Sequence, residues 1–439
     1  MKKKDVLKSI IVEFHSWDLP LVIEREIALP INSNKIISVV GSRRVGKTYL
    51  LFRTIKTLLD RQVDKRRCLY LNFEDERLEL TQQDLDLILQ AYRELYPEID
   101  LKKTYFFFDE VQNVEGWEKF IRRIYDTITK NIFITGSNSK LLGDEIATSL
   151  RGRTLKYAIS PLTLKEFLRF KGFEFNVNVD FYNAKKKSLL IKFFEEFLKY
   201  GGFPEIVLMR EELKLLALQE YFNVMIYRDV LERYNIKDAF VLKYFIKRLA
   251  ENISSTFSVN KIYNELKSQG IKIGKNTLYD YMEYMQTCFL IGLVKKHYAS
   301  ILKSELGEKK VYFVDNGLLN AIRAFNQKNL GALLENLVWR ELRFRYEKIV
   351  FFKEKRECDF VVDNKIAIQV CYDFTDSKTK KREIDGLIEC CKYFNCKKGF
   401  VITFDDEEFL AKENIEIYVV PAYKFMLLDE RRIKENAQY

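Results

Sequence analysis

Residues 35–59, KIISVVGSRRVGKTYLLFRTIKTLL, decide how this chain begins. Ile36 to Val40 is an apolar, β-branched run, as a strand buried on both faces requires. Gly41-Ser42-Arg43-Arg44-Val45-Gly46-Lys47-Thr48 then matches G-x-x-x-x-G-K-[ST], and Leu50, Leu51, Ile55 and Leu58 recur with helical spacing. Strand, loop and helix stand in the order that gives the motif its physical meaning. Glycines let the backbone curl closely around phosphate, so that amide N–H groups and a helix N-terminus face negative charge. Lys47 reaches the outer phosphates and the Thr48 hydroxyl takes Mg²⁺. The expected ligands are therefore ATP, with ADP as its product, and Mg²⁺. The nucleotide is held by Gly41, Ser42, Arg43, Arg44, Val45, Gly46, Lys47, Thr48 and Tyr49.

Further along, TYFFFDEVQNV reads as an apolar strand, Tyr105 to Phe108, ending in Asp109-Glu110. In open α/β sheets ligands bind at the carboxyl ends of the strands, where these acids emerge. Asp109 is expected to hold the magnesium shell and Glu110 to polarise the attacking water. A third strand, NIFITGSNS, ends in Ser137 and Asn138, and LYLNFEDERL ends near Asn72, Glu74 and Asp75. The last two acids either line the same crevice or cap the next helix.

These stretches, followed by SLRGRTLKYAISPLTLKEF, resemble the AAA+ ATPases. Among them the chain is most similar to the archaeal and bacterial predicted ATPases that carry a winged-helix domain and a C-terminal restriction-endonuclease-like domain. The resemblance covers nearly the whole chain. It implies an α/β P-loop NTPase sheet over residues 1–160 and a helical lid over 161–236. A winged helix-turn-helix over 237–328 and a degenerate nuclease-like α/β domain over 329–439 follow. It also puts Asn138 at the sensor-one position and Arg151 and Arg153 where an arginine finger reaches a neighbour's γ-phosphate. That arrangement needs a homo-oligomer, a ring being one form of it.

Bulk properties restrict the rest. Lysine and arginine outnumber acids by 74 to 63, a net charge of +11, which favours polyanions. No run approaches the roughly 20 apolar residues of a membrane span. The lysines of MKKKDVLKSIIVEFHSW recur too soon for a signal peptide, so a cytoplasmic protein with no membrane partner is expected. Seven scattered cysteines without a C-x-x-C pair, and only two histidines, argue against a zinc site or a disulfide scaffold.

Past Pro161 the pattern is helical, and Gly201-Gly202-Phe203-Pro204 separates two helices. Arg210, Arg228 and Arg233 are candidates for phosphate contact from this region. From Lys237 three helices precede two alternating segments, IGLVKKHYASI and KKVYFVDNGL, read as strands joined by a polar turn. Lys272, Lys275, Asn276 and Thr277 stand at the start of the third helix, where DNA contacts are made. The hairpin offers Lys295, Lys296, His297, Lys303, Lys309 and Lys310. Asp280 and Glu283 on the same helix speak for a packing role instead.

From Gly331 the expected order is helix, three strands, helix, strand. Glu335 and Asp359 match the helix and strand acids of an active nuclease, but Gln369 replaces the second strand acid and Cys371 the lysine. An amide grips magnesium weakly and a thiol carries no positive charge for a phosphate, so weak or absent cutting is expected. The leading reading is an ATPase that remodels DNA. The alternatives are a nucleotide-dependent switch in a protein assembly and an ATP-controlled, metal-dependent nuclease.

Overall fold

The computed structural model describes residues 2–137, 150, 152–323 and 330–428. These fall into two compact units. One runs through Ser160 and includes Thr287–Phe289, and the other holds Pro161–Gln286 and the chain from Leu290 onward.

The first unit is built on β1 (Ile36–Val40), β2 (Cys68–Asn72), β3 (Tyr105–Asp109), β4 (Ile132–Gly136) and β5 (Thr154–Ala158). All pairings are parallel, in the order β2-β3-β4-β1-β5. Helices α1 (Lys3–Ser16), α2 (Lys47–Asp60), α3 (Asp86–Leu95) and α4 (Trp117–Thr127) complete it. The strands are apolar because both faces are covered. Every residue of β1 is buried, and Phe106, Phe107 and Phe108 are fully so. The Phe107 ring stacks on Phe133 of the neighbouring strand at 4.7 Å. Leu7 and Ile11 of α1, Ile88 of α3 and Trp117 and Phe120 of α4 share one core with β2 and β3. Parallel order puts the carboxyl ends of β1, β3 and β4 along one edge, so the segments that follow them converge.

The second unit opens with helices Leu164–Phe170, Ala184–Tyr200, Pro204–Leu208 and Glu211–Val224, the last continuing as a π-helix over Met225–Glu232. Helices Ala239–Glu251, Val259–Ser268 and Lys275–Thr287 come next. A mixed, eight-stranded sheet ends the chain: β6 (Ile291–Lys296), β7 (Lys309–Phe313), β8 (Ile349–Lys353), β9 (Glu357–Val362), β10 (Ile366–Val370), β11 (Lys398–Thr403), β12 (Glu408–Lys412) and β13 (Ile415–Pro421). Helix Leu330–Arg345 precedes β8, and Ser377–Phe394 makes the crossover from β10 to its parallel neighbour β11. The helix–strand order read from Gly331 is thus present.

Two features depart from the sequence reading. The hairpin β6–β7 does not stand apart as a wing. It joins the C-terminal sheet, with β6 parallel to β8 at Lys295↔Val350 and Lys296↔Phe351. The link between β6 and β7 is also no simple polar turn, because Ser300 caps a short helix, Ile301–Leu306. Further on, β7 ends at Phe313, and Asp315 caps a helix, Asn316–Ile322, by accepting from Gly317 and Leu318 N–H. Its other oxygen accepts Gly202 N–H at 2.8 Å and meets Arg340 at 3.2 Å. The Gly-Gly turn exists for this approach: a Cβ on Gly201, at φ +73°, would lie 1.9 Å from the Asp315 carboxylate. Arg340 also donates to Leu162 O at 3.1 Å, tying four distant segments of this unit together.

Asn336 closes the same junction. Its side chain accepts Phe313 N–H at 2.8 Å and donates to Phe313 O at 2.9 Å and to Asn316 at 2.7 Å. Replacing it with leucine strips partners from buried backbone groups. Asn336→Leu should lower the unfolding free energy by about 2–4 kcal/mol, read from urea denaturation.

Candidate functional site

The loop between β1 and α2 is shaped by conformations its sequence permits. Gly46 caps α2 at φ +94°, and Arg44 is also left-handed at +63°. Gly41 has no room for a side chain, since a Cβ there would sit 2.3 Å from Ile159 O. Arg25 braces the loop from behind, donating to Val45 O and Ser160 O, each at 2.9 Å. Lys47, on the first turn of α2, is buried. Its Nζ donates to Gly41 O at 3.2 Å and Ser42 O at 3.1 Å, and pairs with Glu110 Oε1 at 3.0 Å.

The carboxyl end of β3 meets this loop. Thr48 Oγ1 donates to Asp109 Oδ2 at 2.6 Å, and the Tyr70 hydroxyl donates to the same oxygen at 3.0 Å. The Thr135 hydroxyl donates to the other oxygen of Asp109 and accepts Glu110 N–H at 2.9 Å. Gln112 donates to Glu110 and, at 3.3 Å, to Ser137. Burial and the neighbouring Glu110 raise the Asp109 carboxyl above its ordinary range. Burial pushes Glu110 the same way, but the Lys47 ammonium, the Gln112 hydrogen bond and Arg43 together hold that carboxyl low. Lys47, Thr48, Asp109 and Glu110, predicted from separate motifs, therefore lie together. Arg43 pairs with Glu74 at 2.6 Å, while Arg44 and Tyr49 face solvent. Ser42 Oγ is buried without a hydrogen-bond partner. A closely curved backbone, an ammonium and a vacant hydroxyl suit a nucleotide's phosphates.

Asn138 and Arg151 lie outside the described residues. Arg153 is described, and its guanidinium pairs with Asp126 at 2.9 Å. Tyr70, Gln112 and Arg25 were not found by sequence reading. Only the pairing of β2 with β3, in which Asn72 stands beside Asp109, brings Tyr70 near the acid.

The second unit holds an acid cluster. Glu335, Asp359 and Gln369 do come together, but around a residue assigned to the hairpin surface. Lys310, only 1% exposed, reaches Glu357 at 2.7 Å, Asp359 at 2.9 Å and Glu335 at 3.2 Å. The place of Lys310 on the hairpin surface is thereby corrected: strand β7 turns it inward with Tyr312, whose hydroxyl donates to Glu335 at 2.6 Å. Gln369 accepts Asp359 N–H at 3.3 Å and donates to Glu383. Burial, then Glu383, push the Cys371 thiol up to about 12, so it stays protonated at neutral pH. Burial and the adjacent Asp359 push the Glu335 carboxyl up to about 8.

Lys272, Lys275 and Asn276 are exposed at the start of helix Lys275–Thr287, with Thr277 half-buried. Lys272 and Lys267 line an open recess with Tyr263 and Ile271. Lys295 pairs with Glu305 at 2.6 Å, and Lys296 lies over the Tyr298 ring. In the C-terminal region, Lys380 pairs with Glu408 and Arg382 with Glu383. Among the described residues no helix is long and apolar enough to cross a membrane, and no group of three or more His, Cys, Asp or Glu is arranged to hold a metal ion.

Comparison with known proteins supplies the family. The AAA domain matches residues 33–168, and a domain of unknown function matches 191–329. An uncharacterized protein of Methanocaldococcus jannaschii is 40% identical over 424 residues, covering 92% of this chain and 91% of its own. The chain belongs to this family of AAA-domain proteins. An uncharacterized protein of Haemophilus influenzae is 33% identical over 392 residues, covering 88% of this chain and 93% of its own. Among solved structures, the RuvB Holliday junction branch migration motor of Thermotoga maritima aligns at 15% identity. It covers 59% of this chain and 81% of its own, with a TM-score of 0.29. The first unit of this AAA-domain protein has the α/β P-loop NTPase fold.

The Glu335 carboxyl has a measurable consequence. Its folded-state value stands above the unfolded one, so the stability it lends is complete below about pH 4.3 and is lost as pH rises towards 8. Glu335→Gln cannot ionise, so its stability should vary less than that of the parent between pH 5 and 8, by chemical denaturation at each pH.

Proposed function

We propose that this protein binds and hydrolyses Mg-ATP at the β1–α2 loop and uses the cycle to act on DNA. The carrying observation is the meeting of Lys47, Thr48, Asp109 and Glu110 at one sheet edge, linked by contacts of 2.6 Å and 3.0 Å. ATP supplies a phosphoanhydride whose cleavage releases energy, with the metal neutralising its charge.

Each group has a task its surroundings suit. The loop amides and Lys47 hold phosphate, and Lys47 exchanges the Gly41 and Ser42 carbonyls for it. Thr48 donates its hydroxyl hydrogen to Asp109, so its oxygen lone pairs would be open to a metal, whose shell Asp109 would anchor. Glu110, kept ionised by Lys47, becomes a base for water once Lys47 turns to phosphate. Arg153 serves a neighbouring subunit only by leaving Asp126. The DNA role rests on the exposed Lys272, Lys275 and Asn276 and on the net charge of +11. Metal-dependent DNA cutting is disfavoured by Gln369, the protonated Cys371 and the ammonium of Lys310 among the acids.

Lys47→Ala should abolish nucleotide binding, and Glu110→Gln should bind ATP yet lose about two or more orders of magnitude in turnover, by calorimetry and phosphate release. Unchanged turnover in both variants would remove the assignment. DNA should stimulate the parent enzyme, and Lys272→Glu/Lys275→Glu should lose that stimulation while keeping basal turnover. ATP-driven assembly with turnover indifferent to DNA would favour the protein-switch reading instead.

A further inference from the structure

The acid cluster of the second unit already contains a cation. Lys310 Nζ touches carboxylate oxygens of three residues, Glu357, Asp359 and Glu335, at 2.7–3.2 Å. A magnesium ion on these oxygens would need about 2.1 Å to each. It would then fall almost on top of the ammonium, and the two charges exclude each other.

The lysine is held in place by the sheet. Its backbone is paired with Val294 on β6 and bridged to Thr256, and Phe351 lies 5.6 Å from its ammonium. The residues around it are equally committed. Asp359 accepts Val370 N–H at 2.9 Å, and Gln369 spends its amide on Asp359 and Glu383. Cys371 turns its Sγ to Asp373 O at 3.0 Å. Tyr312 stacks on Trp339 at 5.1 Å while donating to Glu335. An acid cluster this deeply buried must be neutralised, and the ammonium does so from within the chain.

We propose that Lys310 is the resident cation of this acid site, standing where a divalent metal would have to bind, so that the C-terminal half is built to work without one. The β6–β7 hairpin delivers it, and this explains why that hairpin is an integral part of the sheet. The proposal does not depend on the nucleotide reading, because every group in it lies in the second unit.

Mn²⁺ titration of the full chain without nucleotide, followed by electron paramagnetic resonance, tests it. The parent and Asp359→Asn should bind Mn²⁺ alike, since any ion held elsewhere is common to both. Lys310→Met removes the ammonium at nearly constant volume. It should unfold at a lower temperature and bind Mn²⁺ at least about tenfold more tightly than the parent. Mn²⁺ should restore part of its thermal stability, and Lys310→Met/Asp359→Asn should lose that gain. An Asp359-dependent Mn²⁺ site in the parent would overturn the proposal, as would a folded Lys310→Met that gains none. If Lys310→Met does not fold, the comparison of parent with Asp359→Asn decides alone.

Discussion

Buried charge has to be paired, and this requirement organises both halves of the molecule. Each half places one lysine ammonium among carboxylates that the fold removes from water. In the first unit Lys47 holds Glu110 and the carbonyls of its own loop. In the second, Lys310 holds Glu335, Glu357 and Asp359. Their surroundings differ in one respect that decides their use. Lys47 sits beside a curved backbone and an unsatisfied Ser42 hydroxyl, so an incoming anion offers it better partners than it has. Lys310 is enclosed by side chains already bonded to one another. The buried lysine has an unsatisfied polar neighbour in one place and already bonded neighbours in the other.

The hydroxyl groups around Asp109 extend this logic. Thr48, Tyr70 and Thr135 all donate to its carboxylate, which burial alone would tend to protonate. Hydrogen bonds to the charged form favour that form. Thr135 also fixes the backbone of Glu110, which stands in a left-handed conformation at φ +51°. The two adjacent acids are thus aimed by the strand on either side of them, one through its side chain and the other through its main chain.

Much of the first unit was legible in the sequence because its signals are local. The glycine-lysine-threonine loop, the apolar run of β1 and the acids ending β3 each fit within a dozen residues, and parallel topology brings them together. The C-terminal helix–strand order was legible for the same reason. Lys310 was not, because its partners lie 25 and 49 residues away. One clue was present: in β7, Lys310 and Tyr312 alternate onto one face, and a lysine sharing a face with a buried tyrosine is turned inward. The joining of the hairpin to the C-terminal sheet had no local signal, since β6 meets β8 across more than fifty residues of chain.

That shared sheet makes the boundary near residue 329 a seam in sequence only. Strand β8 has β9 on one side and the hairpin strand β6 on the other. Severing the chain there would bare the flank of β8 to self-association, take the Lys310 hydrogen bond from Glu335 and leave Glu357 and Asp359 without their counter-charge. Either fragment expressed alone would carry an open sheet edge or an unpaired buried charge, so the two stretches on either side of that boundary form one folding unit.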